Sequence, residues 1–259
     1  MRISGFIDHS EEFILPSKGH AELYGDMIPG GRGTIRPLTT KEEKVLYGGF
    51  SQENLNRILN EIVSEPEGFD ADKLIPADQV YLNYKMRIVT YGSSYKVDLQ
   101  CQSCGILNKE VIVDLDSLEV TYLDENFKQP IEITLPRSQD KLHINPLLTA
   151  ERLDLIRSRS EKLSGDLKVP RHENEYILRL CYYIVKVNDE VVEDPEENRQ
   201  YVESMQGMDS TYILNEVRKW MDFGLEDITT LNCANCNQSM QVVIPITLEF
   251  FRPTYFGGV

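Results

Sequence analysis

Apolar positions recur along this chain at two spacings, and the changeovers between them outline its elements. Residues 51–63 set Leu55, Ile58, Leu59 and Ile62 on one face of a helix, with Ser51 available as its N-cap. Just before it, Thr40 with Glu43 fits a capping box for a short helix. Pro76 suits the first turn of a helix running to about residue 90, with Val80, Tyr81, Tyr84 and Ile88 facing the core and Gly92 as its stop. The spacing then drops to two. Residues 95–99 and 110–115 alternate as strands, and so do Ile131, Ile133 and Leu135.

Helical spacing returns after Thr149, an N-cap with Leu148 placed to staple against Leu153. It continues over residues 174–183, which carry Leu178, Cys181 and Tyr182 on one stripe. Val185 and Val187 face Val191 across the turn 188–190, a hairpin pattern. Two more helices are expected, one opened by Asp194-Pro195 and one capped by Asp209 and closed by Gly224, with Ile213, Val217, Trp220 and Met221 on its apolar stripe. Helices and strands come in runs rather than in strict alternation, which predicts an α+β fold.

Turn formers crowd residues 14–38: Pro16, Gly19, Gly25, Pro29, Gly30, Gly31, Gly33 and Pro37. With so few periodic apolar positions, the segment should form an extended arm or a set of turns, and residues 1–38 read as an extended N-terminal arm with residues 39–259 as the folded core.

The chain has 259 residues and a formal net charge of −15. A negative field of that size repels phosphate backbones and argues against nucleic acid as a partner. No apolar run approaches the ~18 residues a membrane span needs. Asp8, Glu11 and Glu12 interrupt the N-terminus before a secretory signal could develop. These readings point to a reducing compartment, where paired cysteines are more often metal ligands than disulfides.

Two such pairs are present, Cys101-Gln-Ser-Cys104-Gly105 and Cys233-Ala-Asn-Cys236-Asn237. Two residues between thiolates let both sulfurs face one tetrahedral ion from a tight turn. Gly105 and Asn237 are the residue types that most readily take the positive φ such a turn uses to return the chain to a strand. Cys101, Cys104, Cys233 and Cys236 are thus expected to hold one structural zinc ion. The architecture is then a zinc-ribbon-like pair of Cys-x-x-Cys hairpins with a large, mostly helical insertion at about residues 129–225. The 128 residues between Cys104 and Cys233 exceed the usual span of a compact ribbon. Redox-active pairs and a four-thiolate iron site remain open alternatives. Cys181 reads as a buried free thiol.

Nothing in the sequence supports an enzyme. His9, His20, His143 and His172 are scattered, and no HExxH array or Gly-x-Ser-x-Gly elbow occurs. Gly30-Gly31-Arg32-Gly33 lacks the Gly-Lys-Ser/Thr of a phosphate loop and the third glycine of a dinucleotide fingerprint. No small-molecule substrate is indicated.

The order of motifs carries a resemblance. Leu15-Pro16-Ser17-Lys18-Gly19, then Ile35-Arg36-Pro37-Leu38-Thr39-Thr40 and Glu42-Glu43, resembles the opening of the T4-type bacteriophage baseplate hub family. Residues 81–92 leading into Cys101-x-x-Cys104 are similar to that family's pattern. So is Cys233-x-x-Cys236 followed by Phe250-Phe251-Arg252-Pro253. The resemblance implies a non-enzymatic structural or assembly component of a contractile tail, in the virion's baseplate, made and assembled in the host cytoplasm. Its implied partners are other baseplate or hub proteins, with no membrane involved. Tyr255-Phe256 would suit a docking tail or, equally, packing back on its own domain. The competing reading is a zinc-ribbon nucleic-acid or transcription-associated module, which the charge and the lack of Lys/Arg clusters beside the cysteines oppose.

Overall fold

A computed structural model describes residues 10–167 and 170–251. The expectations placed on residues 1–9, and those on Arg252, Pro253, Tyr255 and Phe256, lie outside the described residues.

Strand β1 (Glu11–Ile14), the one-turn helix α1 (Ala21–Tyr24) and strand β2 (Arg32–Ile35) open the described chain. The two strands pair antiparallel from Glu11↔Ile35 to Ile14↔Arg32. This corrects the expected arm: Phe13, Leu15, Ile28 and Ile35 are all buried in the main core. A high density of turn residues says how often the chain bends, not whether it leaves the domain. Here the bends stack backbone on backbone. Gly19 has φ +61°, and a Cβ on it would lie 2.0 Å from the Ile28 carbonyl oxygen. Glycine at this position therefore permits close packing rather than flexibility.

Helix α2 (Thr40–Gly48) starts with a capping box one residue earlier than predicted, since the Thr39 N–H donates to Glu42 Oε2 at 2.7 Å. Arg36 Nη2 reaches the other oxygen of Glu42 at 3.2 Å, while Glu43 is occupied by the Tyr91 hydroxyl. Burial alone would raise the Glu42 carboxyl, but hydrogen bonds from Thr39 and Arg36 outweigh it and hold the group at about 2. Helix α3 (Gln52–Ile62) is capped by Ser51, whose Oγ accepts from the Asn54 N–H at 3.2 Å. Strand β3 (Val63–Glu65) then joins β2 to complete a three-stranded sheet.

Helix α4 (Pro76–Tyr91) runs through this core, burying Tyr81, Leu82, Tyr84, Met86 and Ile88. It also holds the far end of the chain. Tyr84 Oη donates to the Ile244 carbonyl at 2.6 Å, and Arg87 Nε donates to the Phe250 carbonyl at 2.8 Å. Phe250 and Phe251 are fully buried beside it.

Strands β4 (Ser94–Gln100) and β5 (Leu107–Asp114) form the first cysteine hairpin, followed by the short β6 (Val120–Thr121). A second apolar cluster then forms, containing Ile133, Leu142, Leu178, Tyr183 and Ile213. Its elements are β7 (Ile131–Thr134), β8 (Lys141–Ile144), α5 (Ala150–Leu167), α6 (Arg171–Tyr183), β9 (Ile184–Val187), β10 (Glu190–Val191), α7 (Arg199–Ser204) and α8 (Gly207–Arg218). The region predicted to be mostly helical therefore also carries a four-stranded antiparallel sheet, ordered β10-β9-β8-β7. Asp209 lies inside α8 rather than capping it. Its carboxylate accepts from the Arg137 and Ser138 N–H groups at 2.8 and 3.0 Å, tying the β7–β8 turn to the helix.

Strand β11 (Gly224–Leu225) pairs with β6, so the chain returns beside the point where it left the first core. Strands β12 (Ile228–Asn232) and β13 (Ser239–Val243) form the second cysteine hairpin. Among the described residues, no helix is long and apolar enough to cross a membrane.

Candidate metal centre

The two hairpins meet at their tips. All four sulfurs of Cys101, Cys104, Cys233 and Cys236 lie within 4.8 Å of one another. Two contacts join opposite pairs: Cys101 Sγ to Cys236 Sγ and Cys104 Sγ to Cys233 Sγ, each 3.7 Å. A disulfide needs about 2.05 Å, so these are separate thiols. A tetrahedron with Zn–S bonds of about 2.3 Å has sulfur–sulfur edges of about 3.8 Å. The donor set and its spacing thus fit one four-coordinate ion.

Both turns are built alike. The Cys101 N–H donates to the Ile106 carbonyl and the Gly105 N–H to the Cys101 carbonyl; the Cys233 N–H donates to Gln238 and the Asn237 N–H to Cys233. Gly105 has φ +74° and Asn237 φ +57°, the left-handed step the sequence assigned to them.

Backbone donors also converge on the sulfurs. The N–H groups of Cys236 and Asn235 draw the Cys233 thiol down to about 6. The Ile106 N–H lowers Cys104 in the same way. Cys236 goes the other way, to about 11: the Gln238 N–H lowers it, but burial and the neighbouring thiols of Cys104, Cys101 and Cys233 outweigh that pull. Four thiols this close cannot all ionise without a cation among them. Cys101 and Cys233 are buried, whereas Cys104 and Cys236 are exposed, so one side of the cluster is open to solvent.

One contributor was missed by the sequence reading. Asn108, a buried residue of β5, spans the two turns. Its Nδ2 donates to the Leu99 carbonyl at 3.2 Å and points at Cys233 Sγ at 3.6 Å, while its Oδ1 accepts from the Ala234 N–H at 2.9 Å. Nothing local in the sequence marks it as a bridge, because its partners in the other hairpin are 125 and 126 residues away.

The other candidates lie elsewhere. Cys181 is buried in the second cluster, and burial pushes its thiol up to about 12. His20 sits edge-on to Phe127, and His143 lies beside Glu132 on the β7–β8 pair. Among the described residues, the four cysteines are the one group of three or more such side chains able to share an ion.

No curated protein and no solved structure matches the chain. A family model described as T4 bacteriophage base plate protein does match, over residues 12–252. That stretch takes in the Arg36–Glu42 cap, α4, both cysteine hairpins and the buried Phe250-Phe251. The chain belongs to the T4 bacteriophage base plate protein family.

Proposed function

We propose that this protein is a non-enzymatic structural or assembly component of a contractile phage tail, positioned in the baseplate or its hub and stiffened by one structural zinc ion on Cys101, Cys104, Cys233 and Cys236. Family membership over residues 12–252 carries the baseplate reading. The 3.7 Å contacts between thiols of opposite pairs carry the metal reading. A closed site of four thiolates leaves no open position for substrate or water, so its contribution is architectural. In this reading the hairpins are the two halves of a zinc ribbon. Residues 129–225 form a module inserted between them, with the β6–β11 pair at its neck. The protein is made in the host cytoplasm and joins other baseplate proteins there.

The test has two arms. Elemental analysis of the purified chain should give one zinc per molecule, and a content far below one would remove the metal reading. Mass spectrometry of purified virions and of tail-assembly intermediates should find the chain with other baseplate proteins. Its absence from both would remove the tail reading.

A further inference from the structure

A groove of about 720 Å³ runs beside the cysteine cluster, walled by residues 99–103 on one side and residues 238–243 on the other. Each wall is an unbroken run of residues. The first wall is the end of β4 and the cysteine turn; the second runs along β13, where successive side chains point to opposite faces, so its unbroken run marks an edge of the strand rather than one of its faces. β4–β5 and β12–β13 are separate two-stranded sheets, and β13 has no second partner strand among the described residues.

The register shows which backbone groups are free. The Cys233 N–H donates to the Gln238 carbonyl and the Ile244 N–H to the Asp227 carbonyl, so these pairs occupy hydrogen-bonding positions of the ladder. Alternation along the antiparallel ladder then directs Met240 and Val242 toward β12, and Ser239, Gln241 and Val243 away from it. On the opposite wall, the Cys101–Ile106 bond fixes the same alternation and turns Gln100 outward. The groove is therefore lined by backbone donors and acceptors at every second residue of β13, the pattern an added strand requires.

Charge supplies the second observation. Edge strands are usually blunted by lysine, inward charges or proline. Apart from the cluster cysteines, neither wall of the groove carries an ionisable side chain, and no Asp, Glu, Lys or Arg occurs from residue 228 to 248, in a chain of net charge −15. Val243 is 57% exposed at the end of this edge.

We propose that the outer edge of β13 receives an extended, uncharged segment of another baseplate protein, about five residues long, which adds as a third strand to β12–β13. The partner class rests on the proposed place in a baseplate, whereas the edge geometry stands without it.

Site-resolved hydrogen exchange tests this on the isolated chain and on assembled baseplates. In the isolated chain, the amides of Met240 and Val242 should be protected and those of Ser239, Gln241 and Val243 open. In the baseplate, these three should slow by about tenfold or more. Gln241→Pro removes only an outward N–H, so it should keep the hairpin and its metal while losing incorporation into tails. Unchanged exchange of the three amides in the baseplate would overturn the proposal, as would normal incorporation of Gln241→Pro. Protection that appears in the isolated chain on concentration would assign the edge to a second copy, which also overturns it. The metal content of the same samples is read independently: a zinc-loaded chain with open amides in the baseplate refutes the docking and leaves the zinc site standing.

Discussion

Replacing Asn108 separates the geometry of the cysteine cluster from its mere presence. The side chain makes one good hydrogen bond, from the Ala234 N–H at 2.9 Å, two longer ones to Leu99 and Ile106, and a 3.6 Å contact to Cys233 Sγ. Asn108→Ala removes all of them. Ala234 is exposed, so water can replace its lost acceptor, whereas the donor to the buried Cys233 sulfur cannot be replaced so readily. A net loss of about 1–3 kcal/mol follows for an interaction of this kind, equivalent to a fall in zinc affinity of about 10–100-fold. Asn108→Asp discriminates further. It has the same shape and keeps an oxygen for Ala234, but sets a negative charge where the donor stood. At 3.6 Å from a thiolate, such a charge costs about 4–5 kcal/mol at an effective dielectric of about 20. Affinity should therefore fall in the order Asn, Ala, Asp.

Competition between the protein and a chromophoric chelator measures this order, because the exposed side of the cluster at Cys104 and Cys236 allows ligand exchange. Circular dichroism on the same samples checks that each variant is folded. If Asn108→Ala bound zinc as tightly as the parent, or Asn108→Asp bound it better than Asn108→Ala, the bridging role assigned to this side chain would be wrong.

Other expectations follow from the same structure. Cys233→Ser should abolish stoichiometric zinc, whereas Cys181→Ser should leave zinc content unchanged, as elemental analysis would show. Burial holds the Asp78 carboxyl up at about 6, against hydrogen bonds from Ser17 and Tyr24, so between pH ~4 and ~6 the native state binds more protons than the unfolded one. Stability from this group is then present below pH ~4 and falls by about 3 kcal/mol as pH rises through 6, and denaturant titrations of Asp78→Asn should lack that component. Gly19→Ala should lower stability by about 2–5 kcal/mol, through a left-handed φ and a clash with the Ile28 carbonyl, where an extended arm would give no change in melting temperature. Chelating the metal should expose the amides of the two cysteine turns to exchange while those of α4 stay protected.

What the sequence revealed depended on how local each signal was. The cysteine turns were legible because spacing, flanking strands and the Gly105 and Asn237 steps all fall within a few residues. The Ser51 cap and the Pro76 start of α4 are equally local, and both stand. The capping box shifted from Thr40/Glu43 to Thr39/Glu42 because two Thr and two Glu stand in tandem. Arg36 and Tyr91, not local spacing, choose between the glutamates. Asp209 has the composition of a cap, yet a loop some 70 residues away takes its carboxylate. β8 escaped notice because Lys141-Leu142-His143-Ile144 is a short alternation, stabilised by β7 and β9 on either side. Residues 10–38 were misread for a related reason: glycine and proline report bends, and only tertiary contacts decide whether bends pack or trail.

The distribution of ties also sets what the proposed metal would contribute. Taken from the sequence alone, an ion on both pairs closes a loop of 128 residues, and so large a closure would make it a main determinant of the fold. In the structure that loop is already closed. Tyr84 binds the Ile244 carbonyl, Arg87 binds the Phe250 carbonyl, and β6 pairs with β11. With the Tyr84–Ile244 tie in place, a bound ion would close only the chain from residue 84 to 101 and from 236 to 244, about 25 residues, which would lower its entropic share by about 1–2 kcal/mol. The roots of both hairpins are held by the core, since Val113 and Ile244 are buried in it. Only the tips would depend on a bound ion. A metal that fixes tips rather than the whole fold controls how the β4 and β13 edges are presented, and that presentation is what a baseplate partner would read.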